Sequence, residues 1–183
     1  MSDAAEKQTF AQKAKSWWAD ARANRYFRIG LVGAAGLALI DQATKYWILH
    51  VVRLPEIGKI ELSAIFDLTF VRNFGASFGL FAGGMASRVF LSLIAAGVSV
   101  GLAIWLGRLN RPVAVAGVSF IIGGALGNLY DRIAYGYVVD FFDFSGLGFP
   151  WVFNVADAAI NVGVACLLLD AWQTREKKPT KAG

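Results

Sequence analysis

Two stretches of the chain, 89–107 and 112–130, run without a charge for about the twenty residues that an α-helix needs to cross a bilayer. Charged side chains bound each of them, Arg88 and Arg108 for the first, Arg111 and Asp131 for the second. Two further apolar stretches carry polar groups toward one end. The segment 29–49 is uncharged up to Ile40 and then contains Asp41 and Lys45, while 152–171 begins with Asn154 and Asp157 and is uncharged from Ala158 to Leu169. The pattern predicts a mainly α, polytopic membrane protein with four transmembrane helices.

The segments between the spans carry their own patterns. Phe10, Ala14, Trp17, Trp18 and Ala21 recur at roughly helical spacing among Lys13, Lys15 and Arg22, which reads either as a short basic amphipathic helix on the inner leaflet or as a solvated tail. The loop 51–87 is too long for a simple connector. Within it, 62–72 (LSAIFDLTFVR) is rich in aromatic and β-branched residues and reads as a strand. Gly75, Gly79, Gly83 and Gly84 follow it. A small extracytoplasmic β-sheet against the outer membrane face is expected, with the loop as a cover over whatever lies beneath. Trp151 and Trp172 bracket the fourth span as interfacial aromatics do.

Composition agrees with this pattern. The chain has 183 residues, 56% hydrophobic and only 17% charged, with a mean hydropathy of +0.50. A water-soluble globule of this size has too little interior to hide so much apolar surface. The net charge of +5 invites a nucleic-acid reading, but twelve of the eighteen Lys and Arg lie in the two tails and the loop 108–111. That asymmetry places both termini in the cytoplasm by the positive-inside rule. No A-x-A-like cleavage site ends the first apolar stretch, so it reads as a retained helix. The organisation expected is a basic N-terminal extension (1–28), a four-helix membrane domain (29–172, spans about 29–49, 89–107, 112–130 and 152–171) and a cytoplasmic tail (173–183). The lone Cys166 lies in an apolar run and reads as a small buried hydrophobe.

With this threading the polar residues in the spans share one depth. Asp41 and Lys45 lie at the outer end of the first helix, Asn128 and Asp131 at that of the third, and Asn154 and Asp157 at that of the fourth. Asp140 falls in the loop just before the fourth. Ionisable groups in spans are costly and commonly serve a pathway or a site. Several have plainer readings. Asp41 and Lys45 stand i, i+4 and suit an ion pair; Asp131 and Arg132 suit a headgroup anchor; Gly123, Gly124 and Gly127 form a small-residue packing face; Asp143 reads as a solvated loop residue. Asp140 and Asp157 have no adjacent base and are embedded in apolar sequence.

The chemistry available is narrow. One histidine, His50, and one cysteine cannot build a His–Cys zinc site or an HExxH helix. Gly75-Ala76-Ser77-Phe78-Gly79 matches G-x-S-x-G only formally, since no strand–turn–helix context or later histidine exists. A Ser77–Lys45 pair is the remaining nucleophilic alternative. Two aspartates sharing one proton can hydrolyse an amide: the ionised member takes a proton from water and the protonated one hydrogen-bonds the carbonyl.

Five blocks carry a family resemblance: Asp41-Gln42-x-x-Lys45, Asn73-x-Gly75-Ala76-x-Phe78, Gly123-Gly124-Ala125-x-Gly127-Asn128-x-x-Asp131-Arg132, Val139-Asp140-Phe141 and Phe153-Asn154-x-Ala156-Asp157. In order and spacing they resemble bacterial lipoprotein signal peptidase (signal peptidase II) over 29–169. Ser77 stands where that family often has alanine. The resemblance implies an intramembrane aspartyl endopeptidase that cuts diacylglyceryl-modified prolipoproteins just before the lipobox cysteine. It implies Asp140 and Asp157 as the catalytic pair, and Asn73, Asn128, Arg132 and Asn154 as substrate-positioning or bracing residues. Asp41, Lys45 and Asp131 are implied as support. It further implies a lipidated prolipoprotein and membrane lipid as partners, globomycin as inhibitor, no metal or organic cofactor, no nucleic acid, a monomer, and residence in the bacterial inner membrane. Two rivals remain: a proton-coupled transporter, for which spans two and three offer only Ser99 and Ser119 in their inner halves, and a scaffold whose polar residues merely join helices.

Overall fold

A computed structural model describes residues 9–75 and 84–176, which form six α-helices, two short helical turns (Trp47–Val51 and Ser145–Leu147) and a four-stranded sheet. The helices are α1 (Phe10–Ala23), α2 (Arg25–Tyr46), the short α3 (Leu54–Ile57), α4 (Met85–Leu106), α5 (Pro112–Ala134) and α6 (Val155–Glu176). The strands are β1 (Lys59–Glu61), β2 (Asp67–Asn73), β3 (Val138–Asp143) and β4 (Val152–Phe153), antiparallel throughout in the order β1-β2-β3-β4. Among the described residues α4, α5 and α6 are long and apolar enough to cross a membrane. At 22 residues α2 matches α4 and α6 in length, but it carries Arg25, Arg28, Asp41 and Lys45. The expectation of four spans is therefore met for three helices.

The amphipathic N-terminal segment is helical. Thr9 and Gln12 form a reciprocal capping box at its start, and Asn24 breaks it by adopting an extended conformation. Asn24 then caps α2, accepting from Tyr26 N at 2.9 Å, while its Nδ2 donates to the carbonyls of Gly107 and Leu109. One side chain thus ties the α1–α2 corner to the α4–α5 turn. Trp17 and Ala21 pack against this turn, so part of the apolar face that suggested a leaflet is spent on the protein itself. Phe10 and Trp18 stay exposed.

Helix α5 is the centre of the bundle, with buried residues in every turn from Ala114 to Asp131. Glycines make this possible. A Cβ on Gly124 would strike the Ala156 carbonyl of α6, and one on Gly127 would strike the Asp41 carboxylate of α2. The small-residue face predicted at Gly123, Gly124 and Gly127 is thus a double contact, to α2 on one side and α6 on the other. Helix α4 lies at the periphery with Val89, Leu93, Val98, Val100 and Ile104 exposed, the all-round apolar character of a lipid-facing helix.

The sheet is more extensive than the sequence predicted. The expected strand at 62–72 begins at Asp67, and 138–143, read as loop, is β3, one of the two inner strands. Apart from Asp140 and Asp143 its residues are apolar or aromatic, and all but the half-buried Phe142 are buried. Val139 and Phe141 join Ile48, Leu54 and Leu68 in a second core above the helices. Trp151 and Val152 belong to the sheet end of the chain, so α6 starts at Val155, later than the expected span.

Candidate active site

Antiparallel pairing decides which side chains meet. Val71 lies opposite Asp140, and Asn73 lies opposite Val138. Cross-strand partners share a face and diagonal neighbours two residues on are within reach of it. Asn73 Nδ2 accordingly donates to Asp140 Oδ2 at 2.9 Å. The orientation of that amide is fixed from its other end, since Asn73 Oδ1 accepts from Gly75 N at 2.8 Å. Gly75 has φ +77, the left-handed conformation this Asn-x-Gly turn needs.

Asp157 is positioned by helix geometry. It is the third residue of α6, and Asn154 precedes the helix. Asp157 N donates to Asn154 Oδ1 at 2.9 Å and Asn154 N donates back to Asp157 Oδ2 at 3.3 Å, a reciprocal cap. The cap leaves Asn154 Nδ2 pointing inward, where it donates to Asp140 Oδ1 at 2.6 Å, Asn128 Oδ1 at 3.2 Å and the Val139 carbonyl at 3.2 Å. One fully buried asparagine therefore joins both aspartates. Asn128, from α5, completes the bridge by donating from Nδ2 to Asp157 Oδ1 at 2.8 Å.

Below this pair lies a buried ionic cluster. Lys45 Nζ is 2.8 Å from Asp41 Oδ2, 2.8 Å from Asp131 Oδ2 and 3.0 Å from Asn128 Oδ1, so its three protons have three acceptors. All three charged side chains are essentially inaccessible. Asp41 also accepts from Ala156 N in the first turn of α6, where negative charge is favoured. Asp131 accepts from Val139 N and from Gln42 Nε2. The predicted Asp41–Lys45 pair is present, but Asp131 is not a headgroup anchor: it is the third member of the cluster and fastens β3 to α5. Arg132 donates to the Asn128 carbonyl at 3.3 Å and lies within electrostatic range of Asp157.

Two further expectations are corrected. Asp140 sits in a strand with 1% exposure, not in a loop. Asp143 is buried too, accepting from Thr69 Oγ1 at 2.6 Å and Ser145 N at 2.9 Å; these bonds hold its carboxyl below the usual carboxylate range. Burial, reinforced by the neighbouring Asp157, pushes the Asp140 carboxyl up to about 7. Gln42 is the residue that sequence reasoning left without a role. Its position inside the first signature block was the available signal, and it bonds Asp41, Asp131 and the Gly127 carbonyl. Ser77 lies outside the described residues, as do Gly79 and Gly83.

A cleft of about 460 Å³ opens beside Asp140, lined by residues 71–74 of β2 and its end and by Pro150, Trp151 and Val152. The model of signal peptidase II, Peptidase_A8, matches residues 33–173, which include every polar residue of the cluster and the pair above it. The chain belongs to that peptidase family. The lipoprotein signal peptidase of Caulobacter vibrioides is 46% identical over 146 residues, covering 79% of this chain and 87% of the relative. That of Thermosynechococcus vestitus is 48% identical over 147 residues, covering 77% and 90%. Among solved structures, a bacterial membrane enzyme determined by the in meso method at 2.3 Å resolution superposes with a TM-score of 0.70. It is 27% identical, and the match covers 85% of this chain and 94% of that one. As a signal peptidase II family member, the chain carries its polar cluster at one end of an apolar bundle, which suits a peptidase of the membrane.

The asparagine bridge invites a direct test. Asn154→Ala leaves Asp140 Oδ1 and the Asp157 N–H without their partners, and about 1–3 kcal/mol of stability should go with them. Thermal unfolding in detergent reads this; a midpoint within error of wild type would show that the bridge is dispensable.

Proposed function

We propose that this protein is an aspartyl endopeptidase that removes the signal peptide from diacylglyceryl-modified prolipoproteins, cutting just before the lipobox cysteine, with Asp140 and Asp157 as the catalytic pair. The observation that carries the reading is the Asn154 bridge: one buried side chain bonds Asp140, while its backbone and side chain bond Asp157. Two carboxyls so joined, with Asp140 lining the cleft and with Asn73 bonding Asp140 and Asn128 bonding Asp157, have the equipment for water-mediated amide hydrolysis.

The environments suggest the division of labour. Asp157 stands in the first turn of α6 with two N–H donors on its oxygens and Arg132 nearby, a setting for the ionised member. It takes the proton from the attacking water. Asp140, buried and facing another carboxyl, holds the shared proton and hydrogen-bonds the scissile carbonyl, polarising it for attack. The proton then passes to the leaving nitrogen. Apparent pKa values belong to the pair as a whole. Because the proton on Asp140 is needed and its carboxyl titrates at about 7, turnover should fall about tenfold per pH unit well above 7. A rate that stays flat from pH 7 to 9 would remove Asp140 from this role.

In this reading α2 is the fourth span. Its charged outer residues Asp41 and Lys45 are neutralised within the bundle, so the exposed surface it offers to lipid is Leu31, Val32, Leu39 and Ile40. Both termini then lie in the cytoplasm, and the aspartates lie near the periplasmic leaflet of the inner membrane. A substrate anchored by its acyl chains presents its scissile bond at that depth. Globomycin is the inhibitor expected of such a site. Cleavage of a lipidated prolipoprotein by the purified protein, with and without globomycin, tests the proposal; a protein that binds the substrate but never cuts it points to the scaffold reading.

A further inference from the structure

At the end of the bundle opposite the aspartates, a second cavity lies between α2 and α5. It has a volume of about 390 Å³ and is lined by Tyr26, Ile29 and Gly33 of α2 and by Val115, Ala116 and Phe120 among the α5 residues. The lining is almost wholly apolar, and the one buried hydroxyl within it, that of Ser119, is already spent on the Val115 carbonyl at 2.6 Å. Ile29 and Gly33 follow Arg25 at helical intervals of four, so the groove runs up the α2 face that starts at Arg25. The Arg25 guanidinium lies 4.7 Å from the ring centre of Tyr26 and donates to its hydroxyl at 3.0 Å. Tyr26 lines the slot, so this contact holds a cation beside one of the lining side chains with most of its donors unused.

Arg25 does not stand alone. Arg22 and Arg28 flank it on the chain. Arg108 lies between Gly107 and Leu109, whose carbonyls receive the Asn24 amide next to Arg25. All four arginines are exposed, and among the described residues none has a carboxylate within 4.0 Å. The contrast is Arg111 in the same region, which is bound to Asp170 at 2.8 Å and Thr174 at 2.7 Å. An apolar slot between two helices with an uncompensated cationic rim matches one molecule of the bilayer, a lipid with acyl chains and a negative headgroup.

We propose that this groove is a binding site for an anionic phospholipid, with an acyl chain between α2 and α5 and the phosphodiester on Arg25, supported by the charge of Arg22, Arg28 and Arg108. The inference rests on the membrane-spanning reading of the bundle and is independent of the peptidase chemistry. The guanidinium offers paired N–H donors to two phosphate oxygens, and the Tyr26 hydroxyl adds a third polar contact. Phosphatidylcholine has the same chains and phosphate, but its ammonium group cancels the charge that the four arginines select.

Native mass spectrometry of the full-length protein in neutral detergent, titrated with phosphatidylglycerol or phosphatidylcholine of identical acyl chains, tests the site without requiring turnover. One phosphatidylglycerol per protein should bind about tenfold more tightly than phosphatidylcholine, a difference of about 1.4 kcal/mol. Arg25→Gln should bring the two lipids to equal affinity, whereas Arg53→Gln, in the segment between α2 and α3, should leave the preference intact. Gly33→Leu should abolish tight binding of both, because its first carbon makes ordinary contact with Ser119 Cβ at 3.7 Å and the rest fills the slot. Glycerol phosphate, which has the headgroup without chains, should fail to compete. Equal affinities in the wild-type protein, a preference that survives Arg25→Gln, or displacement by glycerol phosphate would each overturn the proposal.

Discussion

Replacement of either aspartate by asparagine should end turnover and leave the protein folded in the membrane. Loss of general acid–base chemistry at one member alone is worth on the order of 10²–10⁴-fold in rate, and the pair acts as a unit, so each single substitution should approach the activity of the double. The stability of Asp140→Asn carries separate information. Burial and Asp157 raise the Asp140 pKa in the folded protein, so the native state holds a proton that the unfolded chain releases at lower pH. The sign is that of a destabilising group: stability contributed by the protonated form is complete below about 4 and lost as pH rises toward 7. Asp140→Asn should therefore unfold no earlier than wild type at pH 8 while being inactive, the trade of stability for function common at active sites. Either variant cleaving a lipidated prolipoprotein at the wild-type rate would falsify the assignment. A dead Asp140→Asn that is also grossly unstable at pH 8 would make the aspartate structural.

The largest expected loss of stability comes from Lys45→Met. The methionine fills similar space but leaves Asp41 and Asp131 facing each other without the ammonium that lies 2.8 Å from both. Breaking a buried pair in this way costs about 3–5 kcal/mol, and the two remaining carboxylates repel. Thermal or denaturant unfolding in detergent micelles should show it as a large drop in midpoint. The companion variant Lys45→Met with Asp41→Asn and Asp131→Asn removes the stranded charges and should recover part of the loss. If Lys45→Met unfolds like wild type, the cluster is not what holds α2, α5 and α6 in register. Asp41→Ala should be milder than Lys45→Met, since Lys45 keeps Asp131 and Asn128 as partners.

The membrane bundle and the candidate site were differently legible. Apolar runs of spanning length announce α4, α5 and α6 directly, because a helix satisfies its own backbone and needs only side-chain hydropathy to be placed. The glycines of α5 announced close packing for the same local reason. The reciprocal cap at Asn154 and Asp157 is also local, a spacing of three before an apolar run. These residues, and the signature blocks containing Asp41, Asn73, Asn128, Asp131, Arg132 and Asp140, carry the family resemblance without reference to the fold.

What the chain alone left undecided were relations between elements. Whether Asp143 meets water depends on β3 being covered by β2 and β4, and strand pairing is set by partners distant in sequence. The same pairing puts Asn73 on the face of Asp140. Asp131 looked like an anchor because its nearest charge in sequence is Arg132; in the fold its bonds go to Lys45, Gln42 and the Val139 amide. Local pattern determined the helices and the residue types brought to one end of the bundle. Only tertiary structure decided which carboxylates are balanced by Lys45 and which two are left to share an asparagine, since the charge a buried group meets is fixed by whatever packs against it.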